Sequence, residues 1–201
     1  MTGSPLDFYF DFSSPYGYLA AEQIEALAKR HGRQVAWRPF LLGAVYKKIG
    51  GQPLVHQPLK GDYSLRDMQR SARELGLALR FPESFPFASV AACRAVFWRQ
   101  AGDPTAAGDL VMALYRRAFA EGGDIASSEG VLAVAESLGI ERAALERALQ
   151  DPLVKEKTRA EVEAALERGV FGSPFIIVED EPFWGADRLP VIERWLSRGG
   201  W

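Results

Sequence analysis

Strand chemistry sits at the two ends of this chain and is nearly absent between them. Leu6-Asp7-Phe8-Tyr9-Phe10-Asp11-Phe12 is short and aromatic-rich, as a buried strand should be. Gln34 to Arg38 reads as a second strand, closed by Pro39, and the next strand-like run is Val170 to Val178. A strand needs a partner for its backbone groups, so the two ends must meet in one sheet and carry the intervening chain as an excursion. Ser14 can cap a helix whose first turn suits Pro15, and Tyr16, Ala20, Ile24, Leu27 and Ala28 follow at helical spacing until Gly32 stops it. Strand, helix and strand within fewer than 40 residues make a compact βαβ unit.

From about Ala44 to Arg168 the pattern is helical. Gly50, Gly51, Pro53 and Pro58 mark a long loop, and helices are predicted over Leu65–Leu77, Ala88–Gln100, Pro104–Ala120, Ser128–Leu138, Arg142–Leu149 and Pro152–Glu167. Asp103-Pro104 and Asp151-Pro152 are cap-plus-first-turn signatures. After Val178, Glu179-Asp180-Glu181-Pro182 reads as a hairpin turn, Phe183-Trp184-Gly185 as a returning edge strand and Leu189 to Ser197 as a closing helix. The expected organisation is an α/β domain formed by residues 1–43 and 169–201, split by an inserted all-helical domain over residues 44–168.

Bulk properties exclude several classes. With 201 residues, 48% of them hydrophobic and 25% charged, the chain can build a sizeable core. A formal net charge of -2 offers no bulk attraction for nucleic acid or an anionic membrane. The start Met1-Thr2-Gly3-Ser4-Pro5 lacks the basic and apolar regions of a signal peptide, and no apolar run approaches the roughly 20 residues that span a bilayer. The single cysteine, Cys93, leaves no internal disulfide and no Cys-x-x-Cys centre, and fits a reducing, cytoplasmic compartment. It lies among small and apolar residues and reads as packing.

Two marks about 160 residues apart carry the chemistry: Ser14-Pro15-Tyr16-Gly17, and Gly172-Ser173-Pro174 ahead of Phe175. In thioredoxin-like folds these places meet and a thiol works between them. Here serine holds the first position and glycine the place of a second cysteine, so a thiol would have to arrive on a ligand, with glutathione the obvious candidate. Ser14 at a helix N-terminus is either a plain cap or a donor to a thiolate, lowering the thiol pKa from its usual value of about 8.5. A cis bond before Pro174 would leave the Ser173 backbone free to pair with an extended peptide ligand, whereas a trans bond would mark an ordinary strand start.

Asp187-Arg188 can bind an α-ammonium group and a carboxylate, or serve as a helix cap beside a surface arginine. Lys60, Tyr63 and Arg66, with Asp67 and Arg70, either hold an anionic ligand or form a solvated, self-paired helix face. Phe81, Phe85, Phe87 and Trp98 either wall an aromatic pocket or fill the core. No zinc pattern, phosphate-binding glycine loop or hydrolase elbow is present, and neither His31 nor His56 has ligand-like company.

Phe8-Tyr9-Phe10-Asp11-Phe12-x-Ser14-Pro15-x-x-Tyr18-Leu19, Arg38-Pro39-Phe40-Leu41-Leu42-Gly43, and Val170-Phe171-Gly172-x-Pro174 with Trp184-Gly185-Ala186-Asp187-Arg188-Leu189 together resemble the 2-hydroxychromene-2-carboxylate isomerases. These are glutathione-dependent relatives of kappa-class glutathione transferases. The resemblance covers essentially the whole chain and implies a DsbA-like fold, a thioredoxin-like domain interrupted by a helical one. It also implies a homodimer acting on a small aromatic keto acid. By that resemblance Ser14 hydrogen-bonds the glutathione sulfur and Ser173, beside a cis Pro174, pairs with the cysteinyl unit. Asp187 and Arg188 address the γ-glutamyl end, while Lys60 addresses the opposite end or the substrate. Tyr63, Arg66 and Phe85 are the other substrate candidates. Gly51, where the family often has asparagine, and Ala186, often serine or asparagine, each lack a hydrogen-bonding group. The implied reaction interconverts 2-hydroxychromene-2-carboxylate and trans-o-hydroxybenzylidenepyruvate by reversible thiol addition. A kappa-like transferase or peroxidase, or a non-catalytic glutathione- or peptide-binding module, would use the same site. A dithiol oxidoreductase is excluded by the missing cysteines.

Overall fold

A computed structural model describes residues 3–103 and 106–201. The sheet draws on both ends of the chain. β1 (Leu6–Phe10), β2 (Val35–Pro39), β3 (Phe175–Val178) and β4 (Glu181–Trp184) lie in the order β2-β1-β3-β4. β1 runs parallel to β2, with Phe8 opposite Trp37, and antiparallel to β3, with Phe8 opposite Ile176. α1 (Pro15–Arg30) makes the crossover between β1 and β2. α2 (Leu42–Ile49), α3 (Lys60–Glu74), α4 (Val90–Gly102) and α5 (Ala107–Tyr115) lead to a π turn at Arg116–Ala120. α6 (Ser128–Ser137), α7 (Arg142–Gln150) and α8 (Pro152–Glu167) bring the chain back to β3, and α9 (Leu189–Arg198) closes it.

The alternation along the strands sorts the core into two faces. Phe8, Phe10, Ile176 and Val178 pack with α1 and most of the helical excursion. Tyr9, Phe175 and Ile177 point the other way and are covered by Val45 of α2 and by Val162 and Ala165 of α8. The final helix of the excursion thus covers the sheet's second face. Phe10 is fully buried where sheet and helices join, with ring centroids 5.1 Å from Phe12, 5.7 Å from Trp37 and 5.6 Å from Tyr115.

Several boundaries differ from the sequence expectation for identifiable reasons. β1 ends at Phe10, because Asp11 and Phe12 turn inward toward the helix start. β3 begins at Phe175 rather than Val170, after the proline that has no N–H for a ladder. α2 is not among the helices expected from sequence; its first backbone N–H, on Leu42, is taken by the Asp11 carboxylate at 2.7 Å, a distant cap invisible in local sequence. α3 starts at Lys60, five positions ahead of the expected Leu65, and Gly61 fits there because a Cβ would meet the Val55 carbonyl oxygen at 2.5 Å. Asp151 caps α8 as expected, accepting from Leu153 N at 2.8 Å, while the start expected at Pro104 lies outside the described residues. Among the described residues no helix is long and apolar enough to cross a membrane.

Phe10 sits against aromatic partners from sheet and helices alike, so Phe10→Ala should lower unfolding free energy by about 3–5 kcal/mol in urea titration. A loss below about 1 kcal/mol would show that the two parts do not share this core.

Candidate functional site

The two marks meet. Ser14 caps α1: its Oγ accepts from Gly17 N at 3.0 Å and donates to the Ser173 carbonyl at 2.8 Å. The Ser173–Pro174 bond is cis. Ser173 Oγ in turn accepts from Asp11 N at 2.9 Å, and the Tyr115 hydroxyl donates to the Asp11 carbonyl at 3.0 Å. Asp11, Ser173, Tyr115, Ser14 and Gly17 therefore form one connected network at the N-terminus of α1. Ser14 is 8% exposed, at the end of a helix where the dipole favours negative charge.

Asp11 anchors this network from below. Its carboxylate accepts from Ser13 N at 2.7 Å, Ser89 Oγ at 2.9 Å and Leu42 N at 2.7 Å, tying together the loop before α1 and the starts of α4 and α2. Burial pushes its pKa up, although the bonds from Ser13, Leu42 and Ser89 act in the opposite direction. The Cys93 thiol is fully buried and raised by burial and by the Asp11 charge, so it is packing rather than a nucleophile.

The remaining sequence candidates lie around this centre. Ser13 Oγ accepts from Phe87 N at 3.1 Å, bringing the 85–87 loop against the turn before α1. Phe85 there is half-buried, tilted against Phe81 at 4.9 Å and edge-on to Phe119 at 6.1 Å. α3 is docked on α1 by Tyr16, whose hydroxyl donates to Asp67 at 2.7 Å. Lys60, Tyr63 and Arg66 of α3 are all exposed; Asp67 pairs with Arg70, so the self-paired reading holds for those two. Pro174 is linked to the far strand by Gly185 N donating to its carbonyl at 3.1 Å. Gly185 has φ 116°, a conformation that favours glycine, and a Cβ there would overlap Asp187 Oδ1. Asp187 and Arg188 pair with each other at 3.2 Å in solvent, and neither side chain caps α9. Ser14, Ser173 and Pro174 are thus in direct contact, Asp187 and Arg188 follow Gly185 along the same edge, and Lys60, Tyr63, Arg66 and Phe85 occupy flanking elements.

Sequence reasoning passed over Asp11 and Tyr115. A carboxylate inside an aromatic run was a usable signal, since a buried carboxylate must find donors. Tyr115 gave none, being one aromatic among many on a helical pattern. Among the described residues no cluster of histidine, cysteine and carboxylate side chains could hold a metal ion.

Residues 5–197 match the family described as the DSBA-like thioredoxin domain. The chain is 32% identical to a 2-hydroxychromene-2-carboxylate isomerase of Sphingobium xenophagum over 193 residues, 95% of this chain and 97% of the relative. It is 26% identical to glutathione S-transferase kappa 1 of Rattus norvegicus, over 96% of this chain and 92% of the transferase. A solved 2-hydroxychromene-2-carboxylate isomerase superposes with a TM-score of 0.87 at 33% identity, covering 96% of this chain and 94% of that one.

The raised Asp11 pKa has a definite sign in stability. The folded state holds this proton more tightly than the unfolded chain, so stability falls as pH rises from the ordinary carboxyl range through the folded pKa. Urea unfolding of wild type and Asp11→Asn between about pH 3.5 and 8 should show wild type losing ground to the variant as pH rises, whichever is more stable in absolute terms. A relative gain by wild type with rising pH would contradict the shift.

Proposed function

Because the chain belongs to the DSBA-like thioredoxin-domain family, and within it to the 2-hydroxychromene-2-carboxylate isomerases, we propose that it is a glutathione-dependent isomerase interconverting 2-hydroxychromene-2-carboxylate and trans-o-hydroxybenzylidenepyruvate. The observation that carries the proposal is the position of Ser14 Oγ, at the positive end of α1 and 2.8 Å from the Ser173 carbonyl. The donor set fits the tripeptide thiol: a hydroxyl beside a helix N-terminus suits an anionic sulfur, and a Ser173 carbonyl in the turn entering β3 suits a peptide N–H. Bound glutathione supplies a thiolate that adds reversibly to the conjugated keto acid and leaves again, so that the double bond is single long enough to rotate.

The protein's own residues do three things in this reading. Ser14 has one proton, held by a neutral carbonyl; an anionic sulfur is the stronger acceptor, so the hydroxyl turns to it and releases the Ser173 carbonyl to the ligand backbone. Asp187 and Arg188 receive the charged γ-glutamyl end, for which their mutual pair at 3.2 Å must open. Lys60, Tyr63 and Arg66 hold carboxylates from the α3 side, and Phe85 offers an apolar wall to the aromatic ring. The inserted-domain division at 43/44 and 168/169, a cytoplasmic location and a homodimer belong to the same proposal. The location rests on a single cysteine that needs no oxidising compartment. A kappa-like transferase would share the site and the thiolate, and the similarity to the rat enzyme keeps that reading in view.

Ultraviolet titration of bound glutathione tests the assignment. Ser14→Ala should leave binding within a few fold but raise the bound thiol's pKa by about one to two units, the equivalent of a charge-assisted hydrogen bond. An unchanged midpoint would remove Ser14 from the chemistry.

A further inference from the structure

Gly17 occupies the position where a dithiol site carries its second cysteine, and the space for a side chain there is already filled. A methyl on its Cα would overlap Tyr115 Oη and stand 3.1 Å from Ser173 Oγ and 3.3 Å from Ser14 Cβ. The backbone makes no demand for glycine, since position 17 lies in the first turns of α1 and is not among the positive-φ residues. Glycine inside a helix is unfavourable relative to alanine, so the reason for it lies in packing. The obstacle is fixed. Tyr115 is fully buried, with ring centroids 5.6 Å from Phe10, 5.0 Å from Phe12 and 6.1 Å from Tyr18, and its hydroxyl is held by the Asp11 carbonyl at 3.0 Å. The π turn that follows it, at Arg116–Ala120, is a departure from α geometry that recurs at functional sites.

We propose that Tyr115 is a positioning residue: its hydroxyl holds the Asp11 backbone, whose N–H holds Ser173 and, through the Ser173 carbonyl, the Ser14 proton, and by filling the space over Gly17 it bars a second thiol from the site. The first half rests on the reading that Ser14 polarises a glutathione sulfur; the second stands on packing alone. Tyr115 reaches neither sulfur nor substrate in this scheme. It fixes where Ser173 and Ser14 present their groups, and thereby commits the site to a thiol carried by a ligand.

Four proteins test it: wild type, Gly17→Ala, Tyr115→Phe and the double variant. In wild type the added methyl should lower the folding equilibrium constant by about a hundredfold, as overpacking does, and by less than about threefold when Tyr115→Phe has removed the oxygen. Equal losses in both backgrounds would overturn the packing claim. Gly17→Ala alone is a second check, since a protein as stable as wild type overturns that claim whatever Tyr115→Phe does. For the positioning claim, Tyr115→Phe should raise the pH midpoint of bound glutathione thiolate by about half a unit or more, and lower kcat more than it raises KM. A folded Tyr115→Phe with an unchanged midpoint overturns it. No thiolate signal in wild type at any pH would instead overturn the glutathione reading, and the first half with it, while the folding constants still decide the second.

Discussion

The site depends on a hydrogen-bonded network that joins residues 159 positions apart, with Ser14 Oγ donating to the Ser173 carbonyl. Neither serine can be placed by its own segment. The register of β1 against β3, with Tyr9 opposite Phe175, brings Asp11 level with Ser173, and the Phe8, Phe10 and Ile176 core holds that register. The entropic cost of closing so long an excursion grows only slowly with its length and is met by the sheet and two buried faces rather than by the network itself. What the network adds is geometry. Ser14 Oγ both donates and accepts, Ser173 Oγ accepts from Asp11 N and Tyr115 Oη donates to the Asp11 carbonyl, so each group fixes the orientation of the next.

Asp11 explains how a loosely connected set of helices converges on that geometry. Three donors from the pre-α1 loop, α2 and α4 meet on one carboxylate buried to 5% exposure. Burial opposes its ionisation while those donors favour it, and removing any one of them leaves an acceptor poorly satisfied. The helix end above it attracts negative charge. In the proposed function a sulfur anion at Ser14 gains from α1, and the hydroxyl of Ser14, rather than a protein thiol, answers it.

The sequence was most legible where chemistry is local. The aromatic run of β1, the Ser14-Pro15 start of α1, the Asp151-Pro152 start of α8 and the terminal helix each carry their own signals, and the structure has them close to where they were expected. Joining the two end segments into one sheet followed from where strand chemistry occurs. What escaped was non-local: α2 is capped by a carboxylate 31 positions away, and α3 begins in a turn that only the Val55 carbonyl explains. Ser14 and Ser173 were legible through their motifs, whereas Tyr115 acts through contacts with residues 104 positions distant that no pattern announces.

In the proposed reaction a thiol from outside the chain is used and returned. The most direct measurement incubates the enzyme with 2-hydroxychromene-2-carboxylate and a substoichiometric amount of glutathione, then counts product and free thiol together. Product should form in large molar excess over glutathione with all of the thiol recovered, because elimination restores what addition consumed. Product limited to one equivalent per glutathione, with matching loss of thiol, would contradict it and identify a transferase.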